Sequence, residues 1–155
     1  MEANLIALCS KDKRVFVCDL FTELSEYDPT IMHDIGDKIF TRKYLAIAKE
    51  EVINNFRKYN LLNDDVIFLE GWFKSSIPTF IEHKFSLLRL DGDIYESTKD
   101  TLENLYEDLN PGAYIIVDDW TLNECRNAIL DFRNERKINN PIQSIDKASV
   151  FWKKS

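Results

Sequence analysis

The amino-acid sequence predicts one α/β domain with a doubly wound, Rossmann-like, mostly parallel sheet, and two observations predict it. Four apolar segments rich in β-branched and aromatic residues each end on a carboxylate, which is typical of strands covered on both faces. Amphipathic helical patterns separate these segments, and strands that alternate with helices pair in parallel through right-handed crossovers. No repeat, low-complexity tract or linker divides the sequence, so we expect a single domain over residues 1–155.

The predicted strands stand out by continuous hydrophobicity rather than by alternation. In chain order they cover residues 14–19, 65–70, 85–91 and 113–118. Residues 142–145 and 149–153 complete the predicted sheet as an antiparallel pair. The chain is therefore long enough to bury a sizeable core, since a domain of about 150 residues buries roughly 70% of the surface of its unfolded chain.

Helices are predicted where apolar residues recur at intervals of three and four. This spacing occurs over residues 44–59 and 95–109, the second ending at the Asn110-Pro111-Gly112 sequence. A capping-box pattern from Thr121 to Glu124 predicts the start of a third helix. The core-facing positions of that helix are predicted to be Cys125, Ala128, Ile129 and Phe132. Residues 22–42 show no clear period, and we interpret them as a loop or lid.

The composition excludes several classes of protein. There are 20 basic and 27 acidic residues, so the net charge is −7, which disfavours binding to nucleic acid. No apolar run approaches the roughly 20 residues that cross a membrane, and the acidic start does not resemble a signal peptide. Three cysteines without a Cys-x-x-Cys pair fit a reducing, cytoplasmic location. Four isolated glycines cannot form a Walker loop or a G-x-G-x-x-G motif.

Acidic residues at the strand ends are the candidate functional groups. Ligands bind at the carboxyl ends of the strands in a doubly wound sheet, an edge that would be lined by Asp19, Glu70, Asp91, Asp93, Asp118 and Asp119. If the last two of these parallel strands are neighbours, Asp91, Asp118 and Asp119 would converge. Closely spaced carboxylates repel and need a proton or a cation, and oxygen ligands select a hard ion such as Mg²⁺. The structural alternative is equally concrete, because aspartates also form turns and helix caps.

Other candidates have functional and structural interpretations side by side. Asp19 ends its strand, where an acid commonly accepts ribose hydroxyl groups. Trp72 and Trp120 follow strand ends and are either packing residues or platforms for a flat ligand ring. We expect His33 and His83 to be surface residues, and Cys18 to be part of the core.

Several segments together closely resemble the macrocin O-methyltransferase (TylF) family. The resemblance extends over most of the chain from Arg14 onward, and the combination of an Asp-Gly-Asp-x-Tyr-Glu-Ser-Thr string with an Asp-Asp pair is its most specific part. The matching segments are residues 51–56, 71–73, 77–78, 88–98, 105–106, 109–119, 125–128, 131–133 and 150–154.

The resemblance implies an S-adenosylmethionine-dependent, Mg²⁺-assisted O-methyltransferase. Its small-molecule acceptor would be a hydroxyl group of a sugar or glycosylated compound. By this resemblance Asp91, Asp118 and Asp119 would hold the metal, and Asp93 would be the general base that removes the hydroxyl proton.

The cofactor side of the site is assigned by the same resemblance. Asp19 would bind the ribose, Gly71 and Trp72 would lie near the adenine, and Asp91 would adjoin the cofactor. Members of the family carry a further central strand with a glycine-rich turn before the segment that matches residues 14–19. We therefore expect an N-terminally truncated domain, with residues 1–9 matching the end of the helix that follows that turn.

Truncation leaves alternatives open. The strands that flank the lost one would pair directly, or another chain would fill the gap, as a strand-supplying partner or in a homo-oligomer. The functional alternative is a non-catalytic remnant or a partner subunit. A phosphoryl-transfer enzyme of the haloacid dehalogenase type is a further alternative, although Tyr95 stands where its first motif requires Thr or Val.

Overall fold

The computed structural model describes residues 13–21, 47–80 and 83–155. These residues form six strands and four α-helices, with short 3-10 turns after α2 and α3. In order they are β1 (Val15–Asp19), α1 (Lys49–Lys58), β2 (Val66–Glu70), α2 (Phe73–Ser76) with a turn at Ile77–Phe80, β3 (Phe85–Leu90), α3 (Tyr95–Leu105) with a turn at Tyr106–Asp108, β4 (Leu109–Val117), α4 (Asn123–Glu135), β5 (Gln143–Ser144) and β6 (Val150–Lys153).

The described strands form two sheets. One contains β1 and β2 in parallel, and the other has the order β3-β4-β6-β5, with β3 parallel to β4 and β6 antiparallel to both of its neighbours. The α/β fold, the parallel pairs and the closing antiparallel pair are thus confirmed. Among the described residues β1 and β3 are not paired through their backbones, although the Phe16 and Phe85 rings are in contact at 5.8 Å.

Strand β1 is covered on both of its faces, as its continuous hydrophobicity predicts. Val17 packs with Val52 of α1 on one side. Phe16 belongs to the larger core on the other side. Because successive side chains on a strand point to opposite faces, helices on both sides are needed to keep such a strand out of water.

The larger core lies between the β3–β4–β6 sheet and helices α3 and α4. Leu102, Cys125, Ile129, Phe132 and Trp152 are all fully buried there. The predicted inward face of α4 is therefore confirmed. Outside this core, ion pairs such as Arg136 with Glu103, at 2.7 Å, join the exposed sides of α3 and α4.

Helix α4 begins later than predicted, and the capping-box prediction is wrong. The N-cap residue is Leu122, and no side chain caps the helix. The backbone instead turns just before α4, where Leu122 N–H donates to Asp119 O at 3.0 Å. The turn that carries the Asp118-Asp119 pair thus leads directly into the helix.

Strand β4 begins earlier than predicted, because the Asn110-Pro111-Gly112 sequence lies within it. The register with β3 shifts between Phe85 and Leu87, which marks an irregularity at this point. Proline is tolerated at such irregular positions, and Gly112 has φ 79°, which suits glycine. Gly112 N–H donates to Lys154 O at 2.9 Å, so this end of β4 is anchored to the end of β6.

The predicted lid at residues 22–42 and the predicted helix end at residues 1–9 lie outside the described residues. The same holds for His33, whereas His83 is half-buried and packs its ring against Phe16 at 5.0 Å. In the described part of the chain, no helix has the length and hydrophobicity to cross a membrane.

Two adjacent residues of α4 provide a test of this packing. Ile129 is fully buried, whereas Leu130 is 45% exposed. We expect Ile129→Ala to lower the free energy of unfolding by about 2–5 kcal/mol, because it leaves a cavity in the core. Leu130→Ala should change it by less than about 0.5 kcal/mol. Urea denaturation of both variants measures the difference, and equal losses would contradict the placement of α4.

Candidate functional site

The pairing of β3 with β4 brings the predicted acidic residues together. Leu90 lies opposite Val117 in the parallel register, and Asp118 N–H donates to Leu90 O at 3.0 Å. The residues that follow the two strands therefore leave the sheet side by side. This places Asp91 and Asp93 on one strand end and Asp118 and Asp119 on its neighbour, as the strand-end argument predicts.

Three of these carboxylates form a compact cluster. Oxygen atoms of Asp91, Asp93 and Asp119 all lie within 4.8 Å of one another, and the three residues are half-buried. Asp119 also accepts a hydrogen bond on Oδ2 from the Asp93 N–H, at 3.3 Å. An arrangement of carboxylate oxygens at this spacing has the donor chemistry that hard divalent cations prefer.

The electrostatics of the cluster reflect its crowding. Burial, followed by the negative charge of Asp119, raises the pKa of Asp91 to about 7, while Arg89 opposes this rise. Burial and Asp119 likewise raise the pKa of Asp93 to about 7. The negative charges in this corner are thus incompletely compensated by the protein, and a proton or cation is favoured there.

Asp118 is not part of this compact cluster of described residues. Its Oδ2 forms an ion pair with Nη2 of Arg89, a residue of β3. The same nitrogen is 3.4 Å from Asp91 Oδ2. The structure therefore brings together Asp91 and Asp119 of the predicted metal ligands, adds Asp93 to them, and holds Asp118 at the side through Arg89.

Backbone geometry fixes Asp93 at the start of α3. Its φ of 52° lies in the left-handed region, which aspartate and asparagine tolerate better than most residues. Just after it, Ile94 is the N-cap of α3. Backbone conformations of this kind persist where the surrounding structure imposes them, and they are enriched at functional sites.

The predicted cofactor residues Asp19, Gly71 and Trp72 lie together at the ends of β1 and β2. Gly71 N–H donates to Asp19 O at 3.0 Å, which joins the two strand ends. Asp19 Oδ1 accepts a hydrogen bond from the Phe21 N–H at 2.8 Å. Gly71 has φ 131°, which requires glycine, and the Trp72 side chain is 39% exposed.

A cavity lies between β1 and β3, next to the acidic cluster. Its walls are mainly apolar and include Phe16 and Cys18 of β1 and Leu88 of β3, and Asp91 and Gly92 lie on its lining. Trp120, in contrast, packs against the main core.

The described cysteines are poor candidates for catalysis. Cys18 is half-buried and packs against the core, and burial raises the pKa of its thiol to about 12. Burial has the same effect on fully buried Cys125. Thiols with such pKa values stay protonated near neutral pH and are weak nucleophiles.

Arg89 is the residue of this site that sequence reasoning missed as a functional group. The signal was present, because a charged residue interrupts the otherwise apolar Leu88–Leu90 stretch of a half-buried strand. A buried or half-buried charge needs a partner, and the aspartates two residues later and on the next strand are the nearest acidic candidates in the predicted sheet.

Comparison with known proteins gives consistent matches. Residues 1–154 match the family described as macrocin-O-methyltransferase (TylF). The chain is 40% identical over 156 residues to the 8-demethyl-8-(2,3-dimethoxy-alpha-L-rhamnosyl)-tetracenomycin-C 4'-O-methyltransferase of Streptomyces olivaceus, covering 99% of this chain and 59% of that protein. It is 38% identical over 162 residues to the demethyldecarbamoylnovobiocin O-methyltransferase of Streptomyces niveus, covering all of this chain and 60% of that protein.

A solved structure of an O-methyltransferase is also similar to this chain. The O-methyltransferase NovP superimposes with a TM-score of 0.83 at 38% identity, over 94% of this chain and 61% of NovP. The chain thus spans about 60% of the length of the relatives that it matches.

The raised pKa of Asp93 predicts a pH dependence of stability. An aspartate with a folded-state pKa of about 7 and an ordinary unfolded pKa favours the folded state while it is protonated. Its contribution is therefore complete below about pH 4 and is lost as the pH rises to about 7.

Urea denaturation in EDTA between pH 4 and 8 measures this effect. The free energy of unfolding of the wild type, minus that of Asp93→Asn, should fall as the pH rises from about 4 to about 7 and should level off above that pH. Asparagine keeps the backbone conformation of residue 93 accessible. Parallel pH profiles for the two proteins would contradict the prediction.

Proposed function

The chain belongs to the macrocin O-methyltransferase (TylF) family, and from this premise we propose that it is an S-adenosylmethionine-dependent, Mg²⁺-assisted O-methyltransferase of a small-molecule hydroxyl group. The observation that carries the proposal is the convergence of Asp91, Asp93 and Asp119 at the ends of two paired strands. A non-catalytic subunit that keeps this part of the fold is the alternative, which the experiments below distinguish.

The proposed acceptor is a hydroxyl group on a sugar or glycosylated compound. The name of the Streptomyces olivaceus relative places its methyl transfer at a 4'-oxygen of a rhamnosyl tetracenomycin. A further relative, from Micromonospora griseorubida, is named a mycinamicin III 3''-O-methyltransferase and is 34% identical over 94% of this chain. These likenesses support the substrate class for the whole enzyme.

The acidic cluster is the proposed metal site. Its carboxylate oxygens fit Mg²⁺. Burial and then the charge of Asp119 raise the pKa of Asp91 and Asp93, and a divalent cation would oppose both causes by favouring the ionised carboxylates. Asp91 and Asp119 are the proposed ligands, with Asp118 as the third through its resemblance to the family. The cation would supply polarisation of the acceptor hydroxyl group, which lowers its pKa.

Asp93 is the proposed general base. Burial and the negative charge of Asp119 raise its pKa, which increases the affinity of the carboxylate for a proton. Its left-handed backbone and the hydrogen bond from its N–H to Asp119 hold the residue beside the cluster. The Asp93 carboxylate would take the proton of the acceptor hydroxyl group as the hydroxyl oxygen bonds to the methyl group, whose bond to the sulfur of S-adenosylmethionine would break to leave S-adenosylhomocysteine.

The ends of β1 and β2 are the proposed cofactor side. A carboxylate at the position of Asp19 accepts ribose hydroxyl groups in nucleoside-binding α/β folds. The exposed ring surface of Trp72 and the glycine before it leave room for a flat base. Asp91, which lines the cavity next to β1, is the proposed link between the cofactor side and the metal side.

Calorimetric titration with S-adenosylmethionine, in Mg²⁺ and again in EDTA, tests the function. Micromolar binding followed by transfer of a labelled methyl group to a glycosylated acceptor would support an active enzyme. A folded protein that binds Mg²⁺ but neither binds the cofactor nor transfers the methyl group would instead support the non-catalytic alternative.

The metal ligands can be separated from the base by two isosteric variants. We expect Asp118→Asn to weaken Mn²⁺ binding by more than about 100-fold, exceeding the usual loss for an outer-shell group. Asp93→Asn should bind Mn²⁺ within about tenfold of the wild type. Electron paramagnetic resonance of free Mn²⁺ measures both affinities, and the reverse order would make Asp93 the third ligand.

The role of Asp93 as base predicts a specific kinetic defect. Asp93→Asn should lower kcat by about 10²–10⁴-fold, the usual contribution of general base catalysis. Its affinity for S-adenosylmethionine should be unchanged in the same preparation. Single-turnover methyl transfer with saturating acceptor measures the chemical step, and a normal rate would refute the assignment.

A further inference from the structure

Arg89 is a half-buried cation inside the acidic corner. It lies on β3 two residues before Asp91, so the two side chains share one face of the strand. Its Nη2 forms an ion pair with Asp118 Oδ2 and lies 3.4 Å from Asp91 Oδ2. One guanidinium group therefore bridges the ends of β3 and β4.

The corner contains more negative than positive charge. Four aspartates meet there, and within the described part of the chain the ion pairs to them come from Arg89. Arg89 engages the two carboxylates that lie on its side, while Asp93 and Asp119 contact each other through the Asp93 N–H. The guanidinium thus compensates part of the charge that a divalent cation would compensate.

We propose that Arg89 is an internal counter-ion that competes with the divalent cation for Asp91 and Asp118. This inference rests on the proposed metal site. When the cation binds, the Asp118 carboxylate would leave Arg89 and bind the cation instead. Arg89 is accordingly a positioning residue, because it sets where the Asp118 carboxylate lies.

If Arg89 competes with the cation, its removal changes the affinity of the site in the opposite direction to structural damage. A fixed positive charge beside a divalent cation repels it, and its removal raises the affinity of the site. For charges about 5 Å apart, even screening as strong as that of bulk water leaves an effect on the order of tenfold. Loss of order in the site would lower the affinity instead.

The test is Mn²⁺ binding at pH 8, followed by electron paramagnetic resonance. Arg89→Gln should bind Mn²⁺ about tenfold more tightly than the wild type, and Arg89→Lys, which keeps the charge, should stay within about threefold of it. Arg57→Gln is the matched control, because it removes an arginine from exposed positions of α1, where its Nη1 contacts Asn54. Arg89→Met, an unbranched neutral variant, replaces Arg89→Gln if the latter does not fold.

Each outcome decides the inference. Tighter binding by the neutral variants alone supports it. Equal or weaker binding by a folded neutral variant, with normal binding by the wild type, overturns the role of Arg89 and leaves the metal site intact. If neither the wild type nor the variants bind Mn²⁺, the proposed metal site fails, and the inference fails with it.

Discussion

Parallel hydrogen bonding between β3 and β4 sets Leu90 opposite Val117, and the position of the acidic corner follows from that register. A slip of one residue would reverse the faces of every side chain on one strand, so Ile115 and Val117 would leave the core. Burial of these residues beneath α3 and α4 therefore fixes the register. The apolar core thus determines which carboxylates meet, although the core residues themselves do not belong to the acidic cluster.

Bringing four aspartates together at the ends of β3 and β4 lowers the stability of the fold, and two features of the structure reduce this loss. Arg89 compensates Asp118 and part of Asp91, while the raised pKa values of Asp91 and Asp93 allow proton uptake near neutral pH. A bound cation would compensate these charges, so the free energy of unfolding would be higher with the cation than without it. In the proposed metal site, the same charge density that weakens the fold would favour binding of a divalent ion.

The sequence was informative wherever a residue's role depends on local periodicity. The strand cores, the inward face of α4 and the meeting of Asp91 with Asp119 follow from hydrophobic spacing and from the rule that parallel strands end at one edge. The start of α4 did not follow, because a backbone turn at Asp119 replaces the Thr121 cap. The sequence also indicated that Arg89 needs an acidic partner, but it could not show which aspartates pair with it, since the direction of a long side chain depends on neighbours across the sheet.

A further constraint on the proposed site is that its cofactor side and its metal side lie on different sheets. The proposed cofactor residues lie at the end of the β1–β2 sheet, and the acidic corner lies at the ends of β3 and β4 in the other sheet. In the described part of the chain these sheets meet through side chains such as Phe16 and Phe85, and not through a shared ladder of backbone hydrogen bonds. Methyl transfer requires donor and acceptor aligned to within a fraction of an ångström. Any element that rigidly joins β1 to β3 along the cavity between them would therefore govern the proposed turnover more strongly than binding of the metal, because the proposed metal ligands lie entirely on the β3–β4 side.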